Sequence, residues 1–133
     1  MGYGYDTLSV IARGQLALED EGAVRLATRG GSLFIDTDLY VIKVWSEYVF
    51  GRCEAWILDV IVRRTYDAYL LCNTDLPWAD DPLREYPDPG IRERLYHIYK
   101  DLLINQPVPW AEVTGVGDAR LQTAIRAVER LLQ

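Results

Sequence analysis

Residues 66–72 read YDAYLLC, and directly after them come Asn73-Thr74-Asp75 and four prolines, Pro77, Pro82, Pro87 and Pro89. An apolar run this short and nearly unbroken fits a β-strand buried on both faces, the condition of strands in parallel sheets. Each proline fixes φ and removes a backbone donor, so most of the segment that follows is kept from being helical. A buried strand therefore delivers a long loop that holds acids, arginines, Trp78 and Tyr86. Polar and aromatic groups gathered on a loop at a strand end are common material for a binding site. We read this stretch as a substrate-binding segment running into a mobile lid, about residues 78–94, over a phosphate site.

A second apolar run, 32–35, ends in Asp36-Thr37-Asp38. It reads as a small buried strand that delivers two acids at its C-terminal tip, where ligands sit in parallel α/β sheets. A hydrophobic strand ending in an acid also has the form of a Walker B segment, whose carboxylate holds Mg²⁺ directly or through water. For Asp38 a second reading stands beside this one: it caps the helix that follows. A third strand is expected over 110–114, with a glycine turn at 115–117.

Helices fill the intervals. Asp6 or Thr7 opens one that runs towards Thr28, with Leu8, Ile11, Ala12 and Leu16 inward. The next covers 39–50, with Ile42, Trp45 and Val49 on one face and Lys43 and Glu47 as an i, i+4 pair. Another covers about 54–64. A helix over 91–105 turns Ile91, Leu95, Ile98 and Leu102 inward and carries His97, read as a partly buried structural histidine. Asp118 is expected to cap the last helix, striped by Leu121, Ile125, Val128 and Leu132. Arg120 lies in its first turn, where the helix dipole disfavours a cation, and this makes Arg120 a candidate cofactor-binding residue. Strands alternating with helices predict an α/β fold with a mostly parallel sheet.

Composition sets the outer limits. A chain of 133 residues, half of them apolar, suits a single domain over 1–133 with a real core. A net charge of −6 and a pI of about 4.7 argue against a nucleic-acid footprint, while a few placed arginines still suffice for a small anion. Cys53 and Cys72 lack metal spacing and fall in apolar runs, which suggests reduced thiols and a cytoplasmic setting. No apolar run reaches the roughly 18 residues of a membrane span.

Five segments occur in a recognisable order: RGQLALED (13–20), FIDTDLYVIKVWSEYVFG (34–51), YDAYLLCNTDLPWADDPLRE (66–85), ERLYHIYKDLL (93–103) and VTG (113–115). In that order they make the chain from about Gln15 onward resemble the AAA-type ATPase/kinase family of NAD metabolism, with its NadR-like ribosylnicotinamide kinase domains. The resemblance implies a P-loop-kinase-like, three-layer α/β sandwich with a mostly parallel sheet. It implies ATP and Mg²⁺ as cofactors, and transfer of the γ-phosphoryl group to the 5′-hydroxyl of nicotinamide riboside. On this likeness Asp36 is the Walker-B-like acid for Mg²⁺, and Asp38 a base or hydroxyl acceptor. Trp78 would stack on the pyridinium ring, Asp81 accept from ribose hydroxyls, and Arg84 and Arg92 meet the transferring phosphoryl group.

The family begins with a strand and GxxxxGK[ST], which cradles the β- and γ-phosphates. No such run occurs in these 133 residues. The expectation is thus the C-terminal part of a nucleoside-kinase-like domain, with the N-terminal strand and Walker A loop missing and weak or no kinase activity from this polypeptide alone. The alternative is a non-catalytic ligand-binding or protein-interaction module derived from that fold. The partner expected is a small nucleoside, with neither nucleic acid nor membrane. Open sheet edges make self-association plausible.

Overall fold

The computed structural model describes residues 4–75 and 89–132. Apolar spacing and glycine punctuation divide the first stretch into three helices, α1 (Tyr5–Arg29), α2 (Leu39–Phe50) and α3 (Ala55–Arg63). Asp6 lies in the first turn of α1, where an acid suits the helix dipole. Gly30, at φ 74°, closes that helix by donating its N–H to Leu26 O at 2.8 Å. Gly51, left-handed at φ 73°, ends α2, and buried Ser46 donates Oγ to Arg52 O at 2.6 Å to hold the reversal into α3. These helices belong to one compact unit, Met1–Arg64. Its core is Leu8, Ala12, Leu39, Ile42 and Ile57. Ala12 is 0% exposed, so a larger side chain there would overpack the helix contacts.

Three expectations for this unit are corrected. Residues 32–35 form no strand, and Leu33 and Phe34 are exposed. A ladder needs a neighbouring strand, and among the described residues of this unit every regular element is a helix. Ile11 and Val49, expected inward, are exposed. The faces that pack carry Leu8 and Ala12 on α1, and Leu39, Ile42 and Ser46 on α2.

The second unit, Thr65–Gln133, holds β1 (Tyr69–Cys72), α4 (Pro89–Ile104), β2 (Trp110–Val113) and α5 (Asp118–Leu131). The strands pair in parallel, Tyr69 opposite Trp110 and Cys72 opposite Val113. Backbone bonds extend the ladder at both ends, from Tyr69 N to Pro109 O at 3.0 Å and from Asn73 N to Val113 O at 2.9 Å. Leu71, Tyr96 and Leu103 form its core, flanked by Tyr69, Tyr99 and Trp110. Gln106 fixes the turn from α4 into β2, donating Nε2 to Val108 O at 2.7 Å and accepting from Val108 N at 3.0 Å. Among the described residues the architecture is α/β, with two parallel strands and five helices. No helix among them is long and apolar enough to cross a membrane.

Here too the sequence expectations shift. Cys72 is exposed, so β1 is not buried throughout. His97 is exposed and lies 3.3 Å from Glu93 one turn earlier, not half-buried. Asp118 is the first residue of α5 rather than its cap: Gly117 holds the cap position, and no side chain bonds there. The expected stripe of α5 is largely exposed, with Leu121, Ile125 and Leu132 outward and Ala127 buried. The side of α5 that packs carries Ala127, with Ala124, Val128 and Leu131 half-buried beside it.

Candidate functional site

In the first unit the polar groups converge on the loop before α2. Gly22 on α1 leaves room for Leu33: a Cβ there would stand 2.9 Å from Leu33 Cδ1. Gln15 Nε2 donates to Thr37 O at 2.7 Å. Asp38 caps α2, its Oδ1 accepting from Val41 N at 3.3 Å. The loop 33–38 is thus tied to α1 by one apolar and one polar contact, and to α2 by its cap.

Asp38 has an unusual acidity. Burial pushes its carboxyl up to about 6, the nearby charge of Glu19 adds to this, and the Val41 N–H opposes it. Desolvation therefore outweighs a cap hydrogen bond that favours the charged form. Glu19 is itself buried, with Oε1 3.1 Å from Arg64, whose other nitrogen lies 3.0 Å from Asp20. Arg64 thus joins the end of α3 to α1. A carboxyl that titrates near neutral pH is suited to accept a proton from a substrate hydroxyl. Asp36, two residues earlier, is exposed. Such a carboxylate fits Mg²⁺, which binds through one or two carboxylates with phosphates and water and needs no all-protein cage. Among the described residues no group of three or more His, Cys, Asp or Glu forms a metal cage.

In the second unit the polar groups gather where β1 and β2 end. Glu112 on β2 accepts from Asn73 Nδ2 at 2.9 Å and pairs with Lys100 Nζ at 2.9 Å. The Tyr96 hydroxyl also donates to it, and Tyr96 first, then Lys100 and Asn73, hold the Glu112 carboxyl down at about 2. Asn73 Nδ2 further reaches Tyr96 Oη at 3.3 Å. A carboxylate with three donors stays ionised and fixes α4, β2 and the end of β1 to one another. Thr74 Oγ1 donates to Glu93 at 2.8 Å, a second tie to α4.

Beyond Asn73 the two strand-end loops are joined by Asp75. Its Oδ2 accepts from Gly115 N at 2.7 Å and its Oδ1 from Arg120 at 2.7 Å. Arg120 also donates to Gly115 O at 3.0 Å and to Asn73 O at 2.9 Å. The Gly115 N–H, then the Arg120 hydrogen bond, hold Asp75 below its ordinary range.

Of the residues singled out by sequence, Asp36 and Asp38 share one loop of the first unit, and Arg92 and Arg120 belong to α4 and α5 of the second. Trp78, Asp81 and Arg84, with most of the expected lid, lie outside the described residues. Sequence reasoning missed Asn73, Asp75, Tyr96, Lys100 and Glu112. A signal for two of them existed: Asn73-Thr74-Asp75 follows β1 as Asp36-Thr37-Asp38 follows the apolar run 32–35. Glu112, the one charge inside the short run 110–113, was a second signal, since a lone acid in a strand needs partners.

No solved structure matches the chain. The sequence model of a family described as AAA domain matches residues 4–120, which takes in the helices α1–α4, both strands and the start of α5. A match over most of its length, together with a parallel α/β unit whose polar groups gather at the strand ends, means that the chain belongs to the AAA domain family.

Proposed function

We propose that the chain is a nucleotide-binding, kinase-like protein of NAD metabolism whose second ligand is nicotinamide riboside. The observation that carries the reading is the Asp38 carboxyl, pushed to about 6 beside exposed Asp36 in a family of nucleotide-binding domains. Asp38 takes the proton of the riboside hydroxyl, since its protonated and charged forms are both populated near neutral pH. Asp36 holds Mg²⁺, which when bound with ATP neutralises phosphate charge. Arg84 and Arg92 supply positive charge to the transferring group. Trp78 offers its face to the pyridinium cation, and Asp81 accepts from ribose hydroxyls.

The test is calorimetric titration of the chain with nicotinamide riboside, with and without Mg·ATP, alongside an assay for nicotinamide mononucleotide. Riboside binding that weakens about tenfold or more in Trp78→Ala supports the reading, in keeping with the ~1–3 kcal/mol of a stacked base. No riboside binding under either condition removes it. The alternative is a ligand-binding or interaction module, for which the titration shows riboside binding with no product formed.

A further inference from the structure

Parallel strands deliver their loops to a shared edge, and in such sheets ligands sit beyond the strand ends. Here β1 and β2 end side by side at Cys72 and Val113. Past the Asn73 N to Val113 O bond, the loops 73–75 and 114–117 are held by two side chains, Asp75 and Arg120. We infer that Asp75 and Arg120 are a positioning pair: by clasping these loops to one another they set nucleotide affinity without touching the nucleotide. The inference rests on the nucleotide-binding reading above.

Three features carry it. First, the clasp takes both backbone polar groups of Gly115 and the carbonyl of Asn73, so it fixes main chain on both loops. A guanidinium has five N–H donors in a rigid fork, and Arg120 spends three of them on acceptors from three residues. Second, the clasp runs against local preferences. Gly115 sits at φ 98°, and a Cβ there would stand 3.3 Å from Arg120 N. Arg120 places a cation in the first turn of α5, where the helix dipole is unfavourable. Third, the pair stands at the rim of the loops it holds: the Arg120 side chain is 16% exposed and the Asp75 side chain 37%, so the ordered main chain beside it stays within reach of solvent. An arrangement that runs against local preferences, yet orders two strand-end loops, is suited to presenting backbone to a ligand.

The experiment titrates the full chain with Mg·ATP and, separately, with adenosine, followed by NMR shifts so that weak binding is still measured. The proteins are wild type, Asp75→Ala, Arg120→Ala, their double variant and Arg120→Lys, each with a thermal melt. A positioning pair predicts that each alanine variant weakens both probes about tenfold, at the low end of what removing an orienting group costs. The double variant is no weaker than either single, because the two residues act as one device. Arg120→Lys stays close to Arg120→Ala, since an ammonium cannot reproduce the planar fork. Melting points stay near wild type; if the alanine variants melt early, Asp75→Asn and Arg120→Lys carry the same comparison. Loss of ATP affinity with adenosine spared in Arg120→Ala, and a harmless Asp75→Ala, would show Arg120 touching phosphate and overturn the inference. So would additive losses, unchanged affinities or full rescue by lysine. A wild type that binds neither probe removes the nucleotide reading itself and this inference with it, whereas indifferent variants of a binding wild type remove the clasp alone.

Discussion

Replacing Asp38 by Asn tests the acidity that sets this residue apart. The folded protein holds the carboxyl at about 6 against an ordinary 3.8, so it binds the proton more tightly than the unfolded chain does. The stability gained from protonation is complete below the unfolded value and is lost as pH rises through the folded one. Moving a proton equilibrium from 3.8 to about 6 amounts to roughly 3 kcal/mol at ~1.4 kcal/mol per tenfold change. Asp38 is only partly buried, so water relaxation reduces that figure, and about 1–2 kcal/mol is expected. Asparagine keeps an oxygen for the Val41 N–H and is as good a cap as aspartate, so the substitution removes the charge and little else. Urea unfolding, followed by circular dichroism at the helix band, should show Asp38→Asn more stable than wild type at pH 8. The gain should shrink through pH 6 and vanish below about pH 4. A variant that is less stable at pH 8, or a gain that does not change with pH, would refute the assignment. A carboxylate that costs stability where it is ionised is better explained by chemistry than by packing.

Ile57, 1% exposed in the core of the first unit, should cost about 3 kcal/mol on truncation to Ala, measured by the same unfolding. Glu112, held at about 2 against an ordinary 4.5, contributes stability that is present above 4.5 and lost as pH falls towards 2. Near-ultraviolet dichroism during acid titration should show that loss in wild type and not in Glu112→Gln. Gly115→Ala should lower stability by about 1–2 kcal/mol, because φ 98° strains any residue with a Cβ; a neutral result in thermal melts would contradict the backbone geometry.

Legibility followed the range of the interactions involved. Helix α2 was readable to the residue, because Asp38 before it and Gly51 after it are both local signals. The runs 66–72 and 110–114 read as strands of a mostly parallel sheet, and the helix between them suits a parallel crossover; that 69–72 pairs with 110–113 is what the structure adds. The run 32–35 looked the same locally but has no strand beside it among the described residues of its unit, and partnership cannot be read from four residues. Inward faces failed for a related reason. Ile11, Val49 and Leu121 obey helical spacing, yet which side of a helix packs depends on which neighbour approaches and how closely.

The family, the five helices, the two strands that form and the two acid-bearing loops were in the chain from the start, since each rests on residue identity and local spacing, whereas the expected strand over 32–35 was not. Tertiary structure decided the chemistry of individual groups. Asp38 and Asp75 follow their apolar runs in similar trios, but burial beside Glu19 raises one while Gly115 and Arg120 lower the other. Glu112 is unremarked in the sequence and becomes a threefold acceptor only when α4 brings Tyr96 and Lys100 to β2. Acidity and hydrogen bonding depend on what lies within a few ångströms, and those neighbours are as far as 47 residues away along the chain.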